Sequence, residues 1–323
     1  MNNIESFATG PMWAGFIAFV MAMLALDLFV LGGNKAHRVS VKEAASWVVA
    51  WMVLAVSFGA LLWWYLDGTA GREMANRKAL EFLTGYLIEQ TLSIDNMFVF
   101  VMIFTYFAVP PELQRRALLY GVMGAIVMRA GMILGGVWLV QQFSWILYGF
   151  GVFLVITGIK MLIMAEQKPD LEKNPFLRWL RGHIRVTEGF HGEKFFIRQN
   201  GLLYATPMFL VLVMIEISDV VFAVDSIPAI FAITTDPFIV FTSNIFAIMG
   251  LRALYFLLAD MADRFHLLKY GLAIVLVFIG GKMLVVPWFH MPVQWSLLIV
   301  GSIILISVIL SLKISARKPS RSA

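Results

Sequence analysis

The 323-residue chain has no cysteine, and only 14% of its residues are charged. Without thiols it has neither a disulfide framework nor a thiolate metal site. The charged fraction lies well below the roughly 25% of an ordinary soluble domain, while 60% of the residues are hydrophobic and the mean hydropathy is +0.84. One soluble core cannot bury that much apolar surface, whereas lipid accepts it without penalty, so the composition points to a polytopic membrane protein. Histidine is missing where it would matter: His37, His183, His191, His266 and His290 all fall outside the apolar runs. A metal site within the membrane would therefore rest on oxygen ligands. The signatures HExxH, GxSxG and Walker A are also absent, so the chain reads as a non-enzyme without an organic cofactor.

What is present is a series of apolar stretches, roughly 12–31, 45–66, 82–107, 117–140, 144–165, 202–231, 237–259, 267–286 and 293–312. Each is long enough to span a bilayer. The expected fold is all-α, with about nine transmembrane helices, the first retained because no basic segment precedes it. The chain divides into two N-terminal helices (1–78), a first three-helix repeat (79–165), a charged loop (166–200), a second three-helix repeat (201–286) and a last helix with a basic tail (287–323). Trp63, Trp64, Trp138, Trp145 and Trp288 fall near span ends as interface anchors.

Lysine and arginine orient the chain. One set of loops gathers Lys35, Arg38, Lys42, Arg115, Arg116, seven residues between Lys168 and Arg198, Arg264, Lys269 and the tail; the other holds only Arg72, Arg77 and Lys78. The positive-inside rule then places the N-terminus outside and the C-terminus in the cytoplasm. The net charge of +5 is thus a topology signal and implies no nucleic-acid partner. The 166–200 segment reads as a solvated charged loop in preference to a lipid-headgroup site.

The chain also repeats itself. Tyr148-Gly149, Gly158 and Lys160-Met161-Leu162 recur as Tyr270-Gly271, Gly280 and Lys282-Met283-Leu284; Arg129-Ala130 recurs as Arg252-Ala253. Glu89, Asp95 and Asn96 correspond in the same way to Asp219, Asp225 and Ser226. Each copy covers three spans, and an odd number forces the copies into opposite orientations, the inverted-repeat plan of many secondary transporters. Pro228 is expected to break the sixth span and free a carbonyl as an extra ligand, and Pro207 to mark an entry or kink.

The acids at Glu89, Asp95, Glu216, Asp219 and Asp225 lie in these apolar spans. Each costs about 2.5–3.5 kcal/mol to insert, which makes them functional candidates. On a straight helix Glu89 shares a face with Asn96, and Asp219 with Ser226, while Asp95 and Asp225 lie about 120° round. Antiparallel crossing of the two helices would bring Asp95 to Asp225, a carboxylate, amide and hydroxyl set suited to Mn²⁺, Mg²⁺ or Ca²⁺. Arg129 and Arg252 would gate the site or balance its charge. The alternative is that the acids pair with Arg129, Arg252, Lys160 and Lys282 only to hold the bundle together, although Lys160 and Lys282 sit near span ends and can snorkel. Asp27 either relays protons or marks a span end. Glu81 reads as a solvated boundary residue, and Ser243 and Asn244 as interhelical hydrogen-bonding groups. An acid/base enzyme using Asp95 with Asp225 is a further alternative, with nothing in the neighbouring residues to support it.

Two segments carry a family resemblance: Leu92-Ser93-Ile94-Asp95-Asn96-Met97-Phe98-Val99-Phe100, and Glu216 through Asp219, Asp225 and Ser226 to Pro228-Ala229. With Thr234-Thr235-Asp236-Pro237-Phe238 and Asn244-Ile245-Phe246-Ala247-Ile248, the chain resembles the TerC family of integral membrane proteins, and its Alx branch most. The resemblance implies a multi-pass bacterial inner-membrane protein linked to manganese export and metal homeostasis, to alkaline conditions, and to tellurium resistance. It also implies metal handling by Glu89, Asp95, Asn96, Glu216, Asp219, Asp225 and Ser226. The expected function is ion-coupled export of Mn²⁺; the alternative is an accessory metal-binding component of a tellurite, metal-stress or exoenzyme-metallation pathway. Glu216 has no acidic counterpart, since Tyr86 stands at the equivalent position.

Overall fold

The computed structural model describes residues 6–26, 40–143, 145–163, 175–259, 267–286, 288–289 and 291–317. These form α1 (Gly10–Leu26), α2 (Val41–Thr69), α3 (Arg72–Tyr106), α4 (Pro111–Gln142), α5 (Ile146–Ile163), α6 (Pro175–His183), β1 (Phe196–Gln199), β2 (Leu202–Ala205), α7 (Pro207–Phe231), α8 (Pro237–Ala259), α9 (Leu268–Val285) and α10 (Val293–Arg317). Among the described residues eight helices are long and apolar enough to cross a membrane, and α1 is a shorter apolar helix. The protein is thus an all-α polytopic membrane protein. Asp27 lies outside the described residues.

Local chemistry sets the helix starts. The Ser40 hydroxyl accepts the Glu43 N–H at 3.2 Å and caps α2, one of the donors a helix start leaves unpaired. Pro111, Pro207 and Pro237 open α4, α7 and α8, positions where the missing N–H costs nothing. The long α3 extends the expected span by ten residues at its start. Its 35 residues reach about 52 Å at 1.5 Å per residue, well beyond a hydrocarbon layer of about 30 Å.

Two expectations need correction. Leu202–Ala205 forms β2 and does not open the sixth span; the helix begins only at Pro207, so the antiparallel hairpin runs across the expected boundary at 200/201. Pro228 does not break α7 either, because the helix continues through it to Phe231. The proline removes one rung, the bond to the Val224 carbonyl, and the helix carries on past it.

The packing exchanges equivalent helices between the repeats. α3 packs against α8 and α4 against α7, while α5 lies along α9. At the α5/α9 crossing a methyl on Gly280 would come within 2.6 Å of the Gly151 carbonyl oxygen, and one on Gly158 within 2.7 Å of the Ala273 carbonyl oxygen. Gly151 corresponds to Ala273 and Gly158 to Gly280 in the repeat, so the two contacts are one contact seen twice. Their order, 151 with 280 and 158 with 273, makes the helices antiparallel, as inverted copies require.

A buried charge cluster ties α3 to α8 where both begin. Lys78 Nζ lies 2.9 Å from Glu81 Oε2 and 3.2 Å from Asp236 Oδ2. Thr234 donates to Glu81 at 2.7 Å, Ser6 donates to Asp236 at 3.2 Å, and Asp236 caps α8 through the Phe238 N–H at 3.0 Å. Glu81 is therefore buried, not solvated as expected; the early start of α3 carries it into the packed bundle. Lys78→Met is expected to lower stability by about 2–3 kcal/mol, below the full penalty of a deeply buried pair, because the three side chains keep 4–12% exposure. Thermal unfolding in detergent measures this, and adding Asp236→Asn should recover part of the loss.

Candidate cation site

Four helices meet around Arg129. It lies in the middle of α4, is fully buried, and forms an ion pair with Glu89 of α3. Its guanidinium also grips Asp219 of α7 in bidentate fashion, Nε to Oδ2 at 3.0 Å and Nη2 to Oδ1 at 2.8 Å. Nη1 donates to Asn244 Oδ1 of α8 at 3.3 Å and to Ser226 Oγ at 3.4 Å. Such a fork matches a carboxylate in geometry as well as charge. It joins the repeats directly, with Glu89 and Arg129 from the first and Asp219, Ser226 and Asn244 from the second.

Beside this cluster is a cavity of about 50 Å³. Glu89, Asn96, Arg129, Asp225 and Ser226 supply its polar lining, and Leu92, Met161, Phe222, Leu272 and Leu276 its apolar walls. The volume suits a small, partly hydrated ion. Glu89 Oε2 and Asn96 Oδ1 are buried without a hydrogen-bond partner, which is uncommon for groups so costly to desolvate. Asp225, half-buried, is hydrogen-bonded to Thr157 and stands near Lys160, both on α5. Glu89 and Asp225 line the cavity and Asp219 adjoins it through Arg129, so the three carboxylates outnumber the two nearby bases, Arg129 and Lys160, by one.

The remaining sequence candidates are placed less centrally. Glu216 is half-buried one turn before Asp219; its carboxylate fills the space a side chain at Gly124 would take, and its Oε2 has no partner. Arg252 is half-buried on α8 and does not line the cavity. The side chain of Asp95 lies outside the described residues. Among the described residues no three of His, Cys, Asp and Glu converge as a metal ligand set. For Glu89 and Asp219 the ion pairing weighed from sequence is present, with Arg129 as their shared base.

Sequence reasoning favoured a bundling role for Asn244 over that of a site oxygen, and it passed over Thr157. The signal for Thr157 was a hydroxyl amid apolar neighbours, beside the repeat-marking Gly158. No sequence signal joined it to Asp225, because that contact crosses from one repeat to the other.

Residues 74–321 match the model of the "Integral membrane protein TerC family". Among curated proteins the chain is 55% identical over 311 residues to the "Putative membrane-bound redox modulator Alx" of Salmonella typhi, covering 96% of each chain. It is 54% identical over 317 residues to the protein of that name in Escherichia coli strain K12, covering 98% of each. An "Uncharacterized membrane protein STKORF319" of Myxococcus xanthus is 46% identical over 323 residues, covering 100% of this chain and 98% of that protein. No solved structure matches the chain.

Proposed function

Because the chain belongs to the TerC family of integral membrane proteins, we propose that it is a secondary transporter of the bacterial inner membrane that exports Mn²⁺ from the cytoplasm. The observation that carries this is the cavity lined from both repeats, where carboxylates outnumber bases and buried oxygens of Glu89 and Asn96 lack hydrogen-bond partners. Oxygen-only chemistry of this kind suits a hard divalent cation. In the state described, the Arg129 guanidinium is the shared counter-charge of Glu89 and Asp219. An arriving cation takes Glu89, Asn96, Asp225 and Ser226, and Arg129 gives up Glu89 while keeping its bidentate hold on Asp219. Cation and guanidinium thus alternate as the counter-charge, so the buried acids are compensated whether or not cargo is present. Export against the membrane potential costs about 2.3 kcal/mol per charge per 100 mV, so the outward step is coupled to another ion.

A second reading, an accessory protein that binds metal without moving it, is favoured by the Arg129 pairing and by the absence of a three-acid ligand set among the described residues. The relatives' printed name points to redox modulation; with no cysteine, this chain has no thiol of its own for such a role.

The test is Mn²⁺ uptake into inside-out vesicles holding wild type, Glu89→Gln or Asp225→Asn. Wild type is expected to accumulate Mn²⁺, and each variant to lose about tenfold or more, the equivalent of 1.4 kcal/mol at the site. Wild-type flux no greater than that of empty vesicles would sink the transporter, and binding without flux would favour the accessory role.

A further inference from the structure

The hairpin between α6 and α7 exposes apolar surface beside a membrane-spanning helix. In its register Phe196 faces Ala205 and Arg198 faces Leu203. Strand alternation therefore puts Phe196, Arg198 and Leu203 on one face. Phe196 is 47% and Leu203 60% exposed. The hairpin is firmly anchored: the Phe196 ring lies on Phe209 in the first turn of α7, with centroids 4.6 Å apart. Thr206 donates through Oγ1 to the Lys194 carbonyl at 2.6 Å and through its N–H to the Phe195 carbonyl at 2.9 Å, and the Ala205 N–H donates to the Arg185 carbonyl at 2.8 Å.

This anchoring identifies the occupant of the exposed face. At 100° per residue, Phe209, Val213, Val220 and Val224 fall on one stripe of α7, and Val224 is 45% exposed. Phe209 opens that stripe, so the Phe196 ring packed on it carries the apolar surface beyond the first turn of α7. The charge balance agrees. Residues 175–205 hold Arg178, Arg181, Arg185, Lys194 and Arg198 against Glu188 and Glu193, and Glu193 is held by Arg116 at 2.5 Å.

We propose that the Phe196, Arg198 and Leu203 face of this hairpin is a binding surface for anionic phospholipid. Phe196 and Leu203 enter the upper acyl region, and Arg198, between them on the same face, meets the lipid phosphate. Apolar contact and electrostatic attraction together set the affinity of such interfacial elements. The segment read from sequence as a solvated loop is thus in part a membrane-lying one.

The chain's lack of cysteine makes the test direct, since Leu203→Cys carries a single nitroxide label. The control is Gly189→Cys, an exposed position with nothing within 4 Å of an added Cβ. The full-length protein is placed in phosphatidylcholine vesicles with and without phosphatidylglycerol. The label at 203 is expected to be relaxed several-fold more by oxygen than by an aqueous nickel chelate, with the opposite order at 189. Phosphatidylglycerol should strengthen the preference at 203, and Arg198→Gln should remove that increment. Greater access of the nickel chelate at 203, or spin–spin broadening there that marks a second copy, overturns the proposal. Equal behaviour with and without phosphatidylglycerol overturns its anionic part.

Discussion

Arg129→Met is expected to lower stability by about 3–5 kcal/mol, the cost of stranding buried charges, and at the same time to tighten Mn²⁺ binding. Glu89 and Asp219 are both paired with this one fully buried guanidinium. Methionine fills similar volume without the charge, leaving two adjacent carboxylates in a water-poor setting. A divalent cation would then meet no internal competitor. Mn²⁺ should accordingly raise the unfolding temperature of the variant by more than it raises that of wild type, since a ligand stabilises in proportion to its occupancy of the folded state. Thermal unfolding in detergent across a Mn²⁺ series measures both effects. A variant that loses stability without any gain from Mn²⁺ would mark Arg129 as a structural tie only.

The second large effect is expected at the α5/α9 crossing. Gly280→Val should cost about 3 kcal/mol or more, at or beyond the top of the usual range for overpacking, because its Cβ would meet the Gly151 carbonyl oxygen at 2.6 Å and the Val155 backbone nitrogen at 2.9 Å. Backbone cannot rotate aside as a side chain can, so α5 must move bodily. Gly281→Ala, one residue on, meets nothing within 4 Å and should leave the unfolding temperature unchanged or slightly raised, because alanine favours a helix over glycine by up to about 1 kcal/mol. If the two variants behave alike, the close antiparallel crossing is not what holds the repeats together.

Much of this architecture was legible in the chain because lipid imposes a simple rule: spans must be long, apolar and helical. The repeat was legible for a related reason. Glycines such as Gly158 and Gly280 recur where two backbones touch, and only a side chain without a Cβ fits there. Other features were hidden because apolar composition does not report conformation. Leu202–Ala205 read as the start of a span, yet its residues pair in a hairpin. Glu81 read as solvated because it falls just ahead of the expected third span, yet it is enclosed by Lys78 and by Thr234, 153 residues away. The site was half legible: the repeat matched Glu89 to Asp219, but one arginine joining both depends on how the repeats cross, which no local pattern encodes.

The Lys78 cluster has a consequence for how the protein spends its time. Under the repeat, Lys78, Glu81 and Asp236 correspond to Met208, Val211 and Leu113 at the opposite end, all apolar and buried. At that end, parting α3 from α8 breaks a charged network, whereas the equivalent contact of α7 with α4 at the opposite end is hydrocarbon. In the proposed transport cycle the two orientations are related by the pseudo-two-fold of the repeats, yet they are unequal in population. A difference of about 2–3 kcal/mol holds the charged end shut roughly 30- to 150-fold more often than open. An otherwise two-fold frame thereby acquires a preferred side to wait on.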